Sequence, residues 1–495
     1  MKQLANLLDG FTQDVPNLSI RGLALDHRQI QAGMAFIALQ GTRQHGLAYA
    51  AAALEAGAVV VLYEPVAELD LPLLSVPLVA VPQLSKVLGL IAQRYYQVTA
   101  ADLSVIGLTG TDGKTSTTHF IAEALTYLGE PAAVLGTLGR GQPGALQKGT
   151  HTTPDAIQVQ QQFHELKQQG FKTVAMEVSS HALDQGRVNG VQFELAVLTN
   201  LTRDHLDYHG TVEAYAAAKR KLFHWPALQQ VVLNLDDAFG QDLAKELSQS
   251  PVKVWGYGVG AAADYPADAV IATEAQFDAR GIQATVTTPL GVGQLTAPVL
   301  GRFNLHNLLA ALTSVLAKGW SLDAALTAFQ QVQTVPGRMQ RVECAGKATG
   351  LLVVVDFAHT PTALQQALQA AKAHTLGRLI CVFGCGGDRD AGKRPLMAKI
   401  AEQIANLVIV TDDNPRTENP QIIFSNIRAG FAQPEKIYFE HDRAAAIRLA
   451  IQQAKAGDTV VIAGKGHETV QILADRSIPF DDRTQAYLAL QEYGV

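Results

Sequence analysis

The segment 103–118 has residue types and a spacing that could bind the phosphates of a nucleotide. An apolar run opens into a glycine-rich turn, and small polar residues follow that can begin a helix. Gly110 and Gly113 allow backbone N–H groups to approach phosphate oxygens closely. Lys114 would add a positive charge for the outer phosphates, and the Thr115 hydroxyl is a candidate ligand for Mg²⁺. The segment therefore predicts a nucleoside triphosphate site.

A simpler interpretation of the same segment is a glycine turn before an ordinary helix with an exposed lysine. The usual phosphate-loop spacing places a glycine five residues before Gly113, and this chain has Leu108 there. The pattern is thus reduced to GTDGKT at 110–115. Because short patterns recur by chance, other motifs must support the phosphate site.

Two further segments place candidate metal ligands after predicted strands. Glu177 follows a strand predicted at 172–176, where a sheet that feeds a phosphate loop usually holds Mg²⁺. A helix cap or a surface charge is the alternative for an isolated glutamate. A strand at 195–198 leads into a block with two histidines and several acids, but no second cluster with fixed spacing supports zinc.

Three more polar segments are candidate ligand sites. GTHTTPD at 149–155 is rich in hydroxyls and backbone donors that could hold a phosphate or carboxylate, or it is a solvated loop. DNPR at 413–416 ends in an arginine that could take a carboxylate bidentately, although Asp-Asn-Pro is also good turn chemistry. AGKGHE at 463–468 ends in Glu468, which could take an ammonium.

Length and composition limit the kind of protein that carries these residues. A chain of 495 residues is too long for one core, and roughly 150 residues per domain suggests about three domains. The formal charge of -6 leaves no basic surface typical of nucleic-acid binding, and no apolar run is long enough to span a membrane. Three scattered cysteines, Cys344, Cys381 and Cys385, favour neither a disulfide framework nor zinc, which favours the cytoplasm.

The elements that position these residues are those of an α/β protein. We predict a small α/β domain at 1–98, a central domain at 99–335 with a mostly parallel sheet and a phosphate loop, and a Rossmann-like α/β domain at 336–495. Pro336 and Gly337 mark the second boundary. The predicted strands of the last domain cover 351–355, 379–383, 407–410, 436–439 and 459–462.

The motifs, taken together and in this order, resemble those of the Mur ligase family from Leu25 to Glu468. GTDGKT is the compressed ATP loop that this family shares with folylpolyglutamate synthases, and DNPR with AGKGHE is typical of the branch that adds meso-diaminopimelate. In the opening motif at 26–46, His27 stands where the family has a serine, Ala32 where it has a proline and His45 where it has an aspartate. In the ATP loop, Asp112 replaces a more common asparagine.

The resemblance implies a role for each of the following residues. For ATP they are Gly110, Thr111, Asp112, Gly113, Lys114, Thr115, Ser116, Asn304, Arg338 and Asp356. For the UDP-linked substrate they are Leu25, His27, Thr42, Arg43, Gln44, His151, Thr152, Thr153, Ser179, Gln185 and Arg187. For diaminopimelate they are Arg389, Asp413, Asn414, Pro415, Arg416, Gly464 and Glu468. For catalysis they are Lys114, Glu177, His205 and Lys219, and for Mg²⁺ Thr115, Glu177, His205 and a carbamylated Lys219.

The resemblance also implies an activity. Such an enzyme would use ATP to phosphorylate the side-chain carboxylate of UDP-N-acetylmuramoyl-L-alanyl-D-glutamate, and the amine of meso-diaminopimelate would attack the acyl phosphate. We expect a monomer. A lysine-adding relative, a folylpolyglutamate synthase-like ligase and a nucleotide-dependent binding module without catalysis are the alternatives. The lysine-adding relative would lack Arg416 and its neighbours, and a folylpolyglutamate synthase would not need DNPR.

Overall fold

The computed structural model describes residues 1–41, 44–149, 151–344 and 350–493. Contacts divide the chain into two compact units. Unit 1 contains residues 1–257 and 313–319, and unit 2 contains residues 258–312 and 320–495.

The first part of unit 1 contains a two-stranded sheet, a four-stranded sheet and helices. Its strands are β1 (Lys2–Gln3), β2 (Ser19–Ile20), β3 (Leu23–Ala24), β4 (Ala35–Ala38), β5 (Val60–Tyr63) and β6 (Leu78–Ala80). Its helices are α1 (Leu4–Leu8), α2 (Ala50–Glu55) and α3 (Leu84–Tyr96). Strands β3 to β6 pair in parallel in that order, and β1 pairs with β2. The apolar residues of β4 and β5 are buried on both faces, as parallel strands require.

The second part of unit 1 is a larger, mostly parallel sheet. Its strands are β7 (Ser104–Thr109), β8 (Ala132–Gly136), β9 (Gly139–Gly141), β10 (Thr173–Glu177), β11 (Phe193–Leu198), β12 (Gln230–Asn234) and β13 (Lys253–Val259). Its helices are α4 (Lys114–Tyr127), α5 (Ala156–Gln168), α6 (Ser180–Asp184), α7 (Leu206–His209), α8 (Val212–Arg220) and α9 (Ala238–Leu247). The strand order is β13-β12-β11-β7-β10-β8-β9, and β9 alone of these pairs antiparallel.

This order places β7 between β10 and β11. The carboxyl ends of these three strands therefore lie side by side, which is where ligands bind in parallel α/β sheets. The buried side chains of β7, β10 and β11 share one core with those of α5. The core fixes the strand ends, and with them the residues that follow each strand.

Unit 2 begins with an antiparallel meander and two helices. The strands are β14 (Val270–Asp278), β15 (Gly281–Thr288) and β16 (Gly291–Ala297), and the helices are α10 (Phe303–Ala317), which runs on beyond this unit, and α11 (Leu322–Phe329).

The rest of unit 2 is a six-stranded sheet with helices. Its strands are β17 (Gln340–Val342), β18 (Leu352–Asp356), β19 (Leu379–Phe383), β20 (Leu407–Thr411), β21 (Tyr438–Glu440) and β22 (Thr459–Ala463), and a hairpin follows with β23 (Val470–Ile472) and β24 (Ser477–Pro479). The helices are α12 (Pro361–Ala373), α13 (Lys393–Ile404), α14 (Pro420–Arg428), α15 (Arg443–Gln453) and α16 (Asp482–Glu492). The order β17-β18-β22-β19-β20-β21 is parallel except for β17.

The α/β fold class predicted from the sequence is confirmed, while the domain boundaries at 98 and 335 stay a prediction. Element limits moved by one or two residues in several places. Glu177 ends its strand instead of following it, and the strand predicted at 436–439 begins at Tyr438 because Pro434 starts a short 3₁₀ turn. Among the described residues, no helix combines the length and hydropathy needed to cross a membrane.

Candidate functional site

The phosphate loop of unit 1 joins β7 to α4. Gly110 has a φ of +151°, and a Cβ atom at this position would overlap the Thr199 side chain, so only glycine fits. The segment after β11 holds the loop, because the Thr111 N–H donates to the Asn200 carbonyl (2.9 Å) and the Asp112 N–H to the Asn200 Oδ1 (3.0 Å). The predicted order of strand, loop and helix is confirmed. The conformation of the phosphate loop is therefore fixed by its contacts with Thr199 and Asn200, which follow β11.

Two lysines meet at one backbone oxygen of this loop. The Lys114 Nζ donates to the carbonyls of Gly110 (2.7 Å) and Thr111 (2.8 Å). The buried Lys219 Nζ donates to the same Gly110 carbonyl at 2.7 Å. Burial lowers the pKa of Lys114, and burial together with the Lys114 charge lowers the pKa of Lys219 well below its usual value. Both amine nitrogens thus lie at the loop where phosphates would bind, and the lowered pKa makes Lys219 easier to deprotonate than an exposed lysine.

Glu177 joins the loop to its neighbouring strand. Its Oε1 accepts hydrogen bonds from the Thr115 hydroxyl (3.0 Å) and the Thr137 N–H (2.9 Å), and its Oε2 from the Thr137 hydroxyl (3.1 Å). Carboxylate and hydroxyl oxygens are the ligand types that Mg²⁺ prefers, so Thr115 and Glu177 fit this ion chemically. In the described ranges, no group of three or more His, Cys, Asp or Glu residues is placed to hold a metal. Such a pair suits an ion that keeps water and phosphate ligands.

Tyr215, which the sequence analysis missed, lies between the other two predicted metal ligands. Its ring centroid is 6.0 Å from that of His205 and 4.5 Å from the Lys219 Nζ. Its hydroxyl lies 3.2 Å from the Thr111 hydroxyl of the phosphate loop. The position of Tyr215 four residues before Lys219, on the same helix face, was the signal that could have identified it.

A group of imidazole and phenol rings near His205 was also missed. The His181 centroid lies 5.0 Å from that of His205, 4.2 Å from Tyr208 and 5.4 Å from His209. The His209 Nε2 lies 2.9 Å from the Ser180 Oγ. Burial lowers the pKa of both His181 and His209, so their neutral forms are favoured. The HLDYH spacing in the sequence was the available signal.

Five residues predicted for the UDP-linked substrate lie together beside Glu177. They are Thr152, Thr153, Ser179, Gln185 and Arg187. Arg187 donates to the Thr153 carbonyl (3.0 Å) and, through Nε, to the Gln185 Oε1 (2.9 Å). The Thr153 hydroxyl lies 3.3 Å from the Ser179 hydroxyl and donates to the Glu177 carbonyl at 2.9 Å. This arrangement holds an arginine near the magnesium candidates.

The other residues predicted for the UDP end lie elsewhere in unit 1. Leu25 follows β3 and packs against the core of the first sheet. The His27 ring stacks on Tyr49, with centroids 4.9 Å apart and planes 5° apart. Thr42 and Arg43 lie outside the described residues. Two of the remaining residues are exposed: Gln44 and His151.

Of the three ATP contacts predicted in unit 2, Asn304 and Asp356 are buried and Arg338 is exposed. Asn304, near the start of α10, accepts a hydrogen bond from the Asn307 side chain at 2.8 Å. The Asp356 carboxylate accepts from the Met339 N–H at 2.7 Å. Burial raises the pKa of Asp356 against the opposing charge of Arg338. Asp356 is thus held by the backbone in a fixed orientation.

The residues predicted for diaminopimelate follow three adjacent strands of unit 2. The loop 384–390 follows β19, the loop 412–416 follows β20 and the loop 464–468 follows β22. Because β19 lies between β20 and β22 and all three are parallel, the loops share one edge of the sheet.

Two arginines flank a glycine of the first of these loops. The Arg416 Nη1 donates to the Gly387 carbonyl at 2.9 Å, from a residue whose φ is +53°. A Cβ atom at Gly386 would lie 2.8 Å from the Arg416 Nη1 and 3.8 Å from the Arg389 Cγ. Arg389 is exposed. Two arginines from neighbouring loops, both near Gly386, suit the recognition of a carboxylate.

A buried lysine that the sequence analysis passed over joins the other two loops. The Lys465 Nζ donates to the Asn414 Oδ1 and the Glu468 Oε2, both at 2.9 Å, and lies 3.9 Å from the Asp413 Oδ1. Burial raises the pKa of Asp413. A Cβ atom at Gly464 would lie only 2.8 Å from the Asp413 Oδ2, which explains the glycine. Glu468, which is predicted to bind the ammonium of a ligand, already accepts a hydrogen bond from the Lys465 ammonium.

Two ion pairs support these loops, one of them partly buried and the other fully buried. Arg394 contacts Glu418 bidentately at 2.6 and 2.7 Å. Arg443 contacts Asp482 bidentately at 2.7 Å for both bonds, and both side chains are fully buried. Arg443 also donates to the Ala463 carbonyl, directly before the third loop, at 3.0 Å.

The fold and these sites define an α/β protein with a phosphate loop in unit 1. In unit 2, the loops after β19, β20 and β22 form a polar cluster that carries both positively and negatively charged side chains. Mur ligase family models match most of the chain: "Mur ligase family, catalytic domain" at 19–96, "Mur ligase middle domain" at 108–315 and "Mur ligase, glutamate ligase domain" at 337–466. The chain belongs to the Mur ligase family, which confirms the resemblance.

Two curated relatives and one solved structure similar to this chain carry the name UDP-N-acetylmuramoyl-L-alanyl-D-glutamate--2,6-diaminopimelate ligase. The protein of Ectopseudomonas mendocina is 49% identical over 471 residues, 95% of each chain. That of Pseudomonas aeruginosa is 49% identical over 485 residues, 98% of each chain. A solved structure of that name has a TM-score of 0.78 and 36% identity, and 99% of each chain is covered.

Proposed function

We propose that the protein is an ADP-forming ligase that joins meso-2,6-diaminopimelate to UDP-N-acetylmuramoyl-L-alanyl-D-glutamate, in cytoplasmic synthesis of peptidoglycan precursors. The name of the relatives, which align with nearly the whole chain, supports this proposal. The observation that carries it is the loop cluster of unit 2, where Arg416 and Arg389 flank Gly386 while Asn414 and Glu468 meet at Lys465.

The reaction needs an activated acid, because a free carboxylate is a poor electrophile. ATP transfers its terminal phosphoryl group to the side-chain carboxylate of D-glutamate. The amine then attacks the acyl carbon, forming a C–N bond; the C–O bond to phosphate breaks, and the amine loses a proton. Lys114 and the backbone of the loop would bind the phosphates of ATP and stabilise their charge during transfer.

Thr115 and Glu177 are the residues that would hold Mg²⁺, which supplies charge neutralisation on the transferred phosphate. His205 and Lys219 are proposed for a second Mg²⁺. An ammonium cannot bind a cation, whereas a carbamate formed from a neutral amine and CO₂ presents two anionic oxygens. The lowered pKa of Lys219 favours the neutral amine that such a modification requires.

The UDP-linked substrate is assigned to two groups of residues in unit 1. The Thr153, Ser179 and Arg187 group offers hydroxyls and a guanidinium near Glu177. Leu25, His27 and the segment 42–44 are assigned to the nucleotide end.

The choice of amino acid follows from the chemistry of unit 2. Diaminopimelate carries an ammonium and a carboxylate at its far end, where lysine has only an amine. Arg416 and Arg389 would take that carboxylate, and Glu468 with Asn414 the ammonium. Lysine would leave the arginines without a partner, so a site built this way rejects it.

The test is phosphate release from ATP with each component omitted in turn. Phosphate release that requires both UDP-N-acetylmuramoyl-L-alanyl-D-glutamate and meso-diaminopimelate, with a product heavier by one diaminopimelate minus water, supports the ligase. Phosphate release that does not depend on the amino acid would rule out the ligase in favour of a generic ATPase. ATP binding without turnover would rule out the ligase in favour of a binding module.

A further inference from the structure

Lys465 is a fully buried cation whose Nζ lies near three polar side chains, those of Asn414, Glu468 and Asp413. Its relative exposure is 0%, and its Nζ has two acceptors at 2.9 Å, the Asn414 Oδ1 and the Glu468 Oε2. A buried ammonium is costly unless it is paired and hydrogen-bonded. Because both acceptors belong to residues assigned to the amino acid, the position of this ammonium and the positions of those two side chains depend on one another.

The contacts fix the orientation of the Asn414 amide. Its Oδ1 accepts from both the Lys465 Nζ and the Ile472 N–H (2.9 Å), and its Nδ2 donates to the Glu468 Oε2 (2.9 Å). A flipped amide would direct its NH₂ group at two donors and its oxygen at a carboxylate. The bond from Lys465, together with those to Ile472 and Glu468, therefore determines which way Asn414 faces.

The same contacts fix Glu468. Its Oε2 accepts from both the Lys465 Nζ and the Asn414 Nδ2, and neither of these bonds uses Oε1. The Glu468 side chain retains 33% of its exposure, whereas that of Lys465 retains none. The lysine is thus positioned beneath the carboxylate and does not compete with a ligand at the surface.

The two cations of this region pair with different carboxylates. Arg443 is bound bidentately to Asp482, whereas the Lys465 Nζ lies 2.9 Å from the Glu468 Oε2 and 3.9 Å from the Asp413 Oδ1. Lys465 is therefore the ammonium that the chain itself provides to Glu468, and its removal would leave that carboxylate without this partner.

We propose that Lys465 is a positioning residue of the amino-acid site, whose buried ammonium orients Asn414 and Glu468 to receive the ammonium-bearing head of the incoming diamino acid. This inference rests on the proposed function. Lys465 itself does not touch the substrate and acts through the two side chains that it holds.

The experiment compares Lys465→Met and Lys465→Arg with the unmutated protein by steady-state phosphate release. We expect Lys465→Met to raise the KM for meso-diaminopimelate about tenfold or more, since Asn414 and Glu468 each lose a hydrogen bond that orients them, while the KM for ATP changes by less than about twofold. Lys465→Arg keeps the charge and should recover part of the loss. Lys399→Met, at an exposed lysine of α13, is the matched control and should change neither constant.

A second comparison separates positioning from simple support of the fold. Glu468→Gln and the double variant Lys465→Met/Glu468→Gln should differ in kcat/KM for meso-diaminopimelate by less than about threefold, because Lys465 acts largely through Glu468. The double variant keeps the net charge of the unmutated cluster, so it remains informative if Lys465→Met alone does not fold.

The results of these experiments test the positioning role of Lys465 separately from the proposed ligase activity. An unchanged KM for diaminopimelate in Lys465→Met, an equal rise in the KM for ATP, or fully additive losses in the double variant would overturn the positioning role while leaving the ligase intact. An unmutated protein that releases no phosphate with meso-diaminopimelate would overturn the proposed function, and this inference with it.

Discussion

Lys114 and Lys219 donate hydrogen bonds to the same oxygen, the Gly110 carbonyl, each at 2.7 Å. Two ammonium groups that share one acceptor in a buried site repel each other, which adds to the desolvation that lowers the pKa of Lys219. The phosphate loop therefore carries a second lysine whose charge is easily lost.

The first prediction concerns Lys219 and pH. In the unfolded chain its pKa is near 10.5, and in the folded protein it is lower, so between these two values the unfolded state binds more protons. The free energy of unfolding should therefore rise with pH through this window, relative to Lys219→Met, and the difference should be constant below the folded-state pKa. The measurement is denaturant unfolding of both proteins across pH in CO₂-depleted buffer. A difference that does not vary below pH 10.5 would show that the amine is not perturbed.

The second prediction concerns His119, a buried residue of α4 whose Nδ1 lies 2.8 Å from the Thr115 carbonyl. Burial lowers the pKa of His119 from 6.5 to about 4. As the pH falls from 6.5 towards 4, His119 becomes protonated in the unfolded state but stays neutral in the folded state, so the free energy of unfolding decreases. We expect the unmutated protein to lose about 3 kcal/mol relative to His119→Leu between pH 7.5 and pH 4. Parallel unfolding curves at both pH values check this, and an equal loss in both proteins would contradict it.

The third prediction concerns Glu177. Glu177→Gln keeps the shape but removes the charge that would hold Mg²⁺ beside Thr115. We expect kcat to fall roughly 100-fold or more, and EDTA to abolish turnover in the unmutated protein. Glu213→Gln, at an exposed glutamate of α8, is the control and should keep its activity. Full activity of Glu177→Gln at low Mg²⁺ would remove Glu177 from the metal site.

The fourth prediction concerns the buried pair of Arg443 and Asp482. Asp482→Asn leaves a fully buried guanidinium without its counter-charge, which should cost about 3–5 kcal/mol in the free energy of unfolding. The double variant Arg443→Met/Asp482→Leu removes both charges and should lose clearly less than Asp482→Asn alone. Calorimetric unfolding of the three proteins measures this. A double variant that is as unstable as the single one would mean that packing, and not charge, dominates.

The fifth prediction concerns Arg416. Arg416→Ala should raise the KM for meso-diaminopimelate about 100-fold, because a carboxylate partner is lost, while the KM for ATP stays nearly constant. Arg476→Ala, at an exposed arginine of the same unit, serves as the control. Equal losses for ATP and diaminopimelate would indicate a general disturbance of unit 2 instead of a lost contact.

Much of the fold could be predicted from the sequence because buried parallel strands are continuous apolar runs. The run before Gly110 and the run at 379–383 are examples, and the structure has strands at both. Strand limits were less certain, since the end of a strand depends on hydrogen bonds to its neighbours. Glu177 shows this, because its pairing with Leu108 on β7 extends β10 by one residue.

The candidate site was only partly predictable, because its contacts join residues that lie far apart in the chain. Asn414 and Lys465 are 51 positions apart, and only the order of the strands brings them together. Lys465 lies between two glycines, a sequence context that is typical of an exposed loop lysine. Nothing in the neighbouring residues indicates that its side chain is fully buried. Tyr215 was likewise missed because a tyrosine on a helix is most often part of a core.

The most direct measurement of the central claim is kcat/KM for phosphate release with meso-diaminopimelate, L-lysine and L-glutamate, each in the presence of ATP and UDP-N-acetylmuramoyl-L-alanyl-D-glutamate. The account predicts that meso-diaminopimelate is preferred over lysine by about 1,000-fold or more, because lysine leaves buried polar groups without partners. Equal use of lysine, or a preference for glutamate, would contradict it.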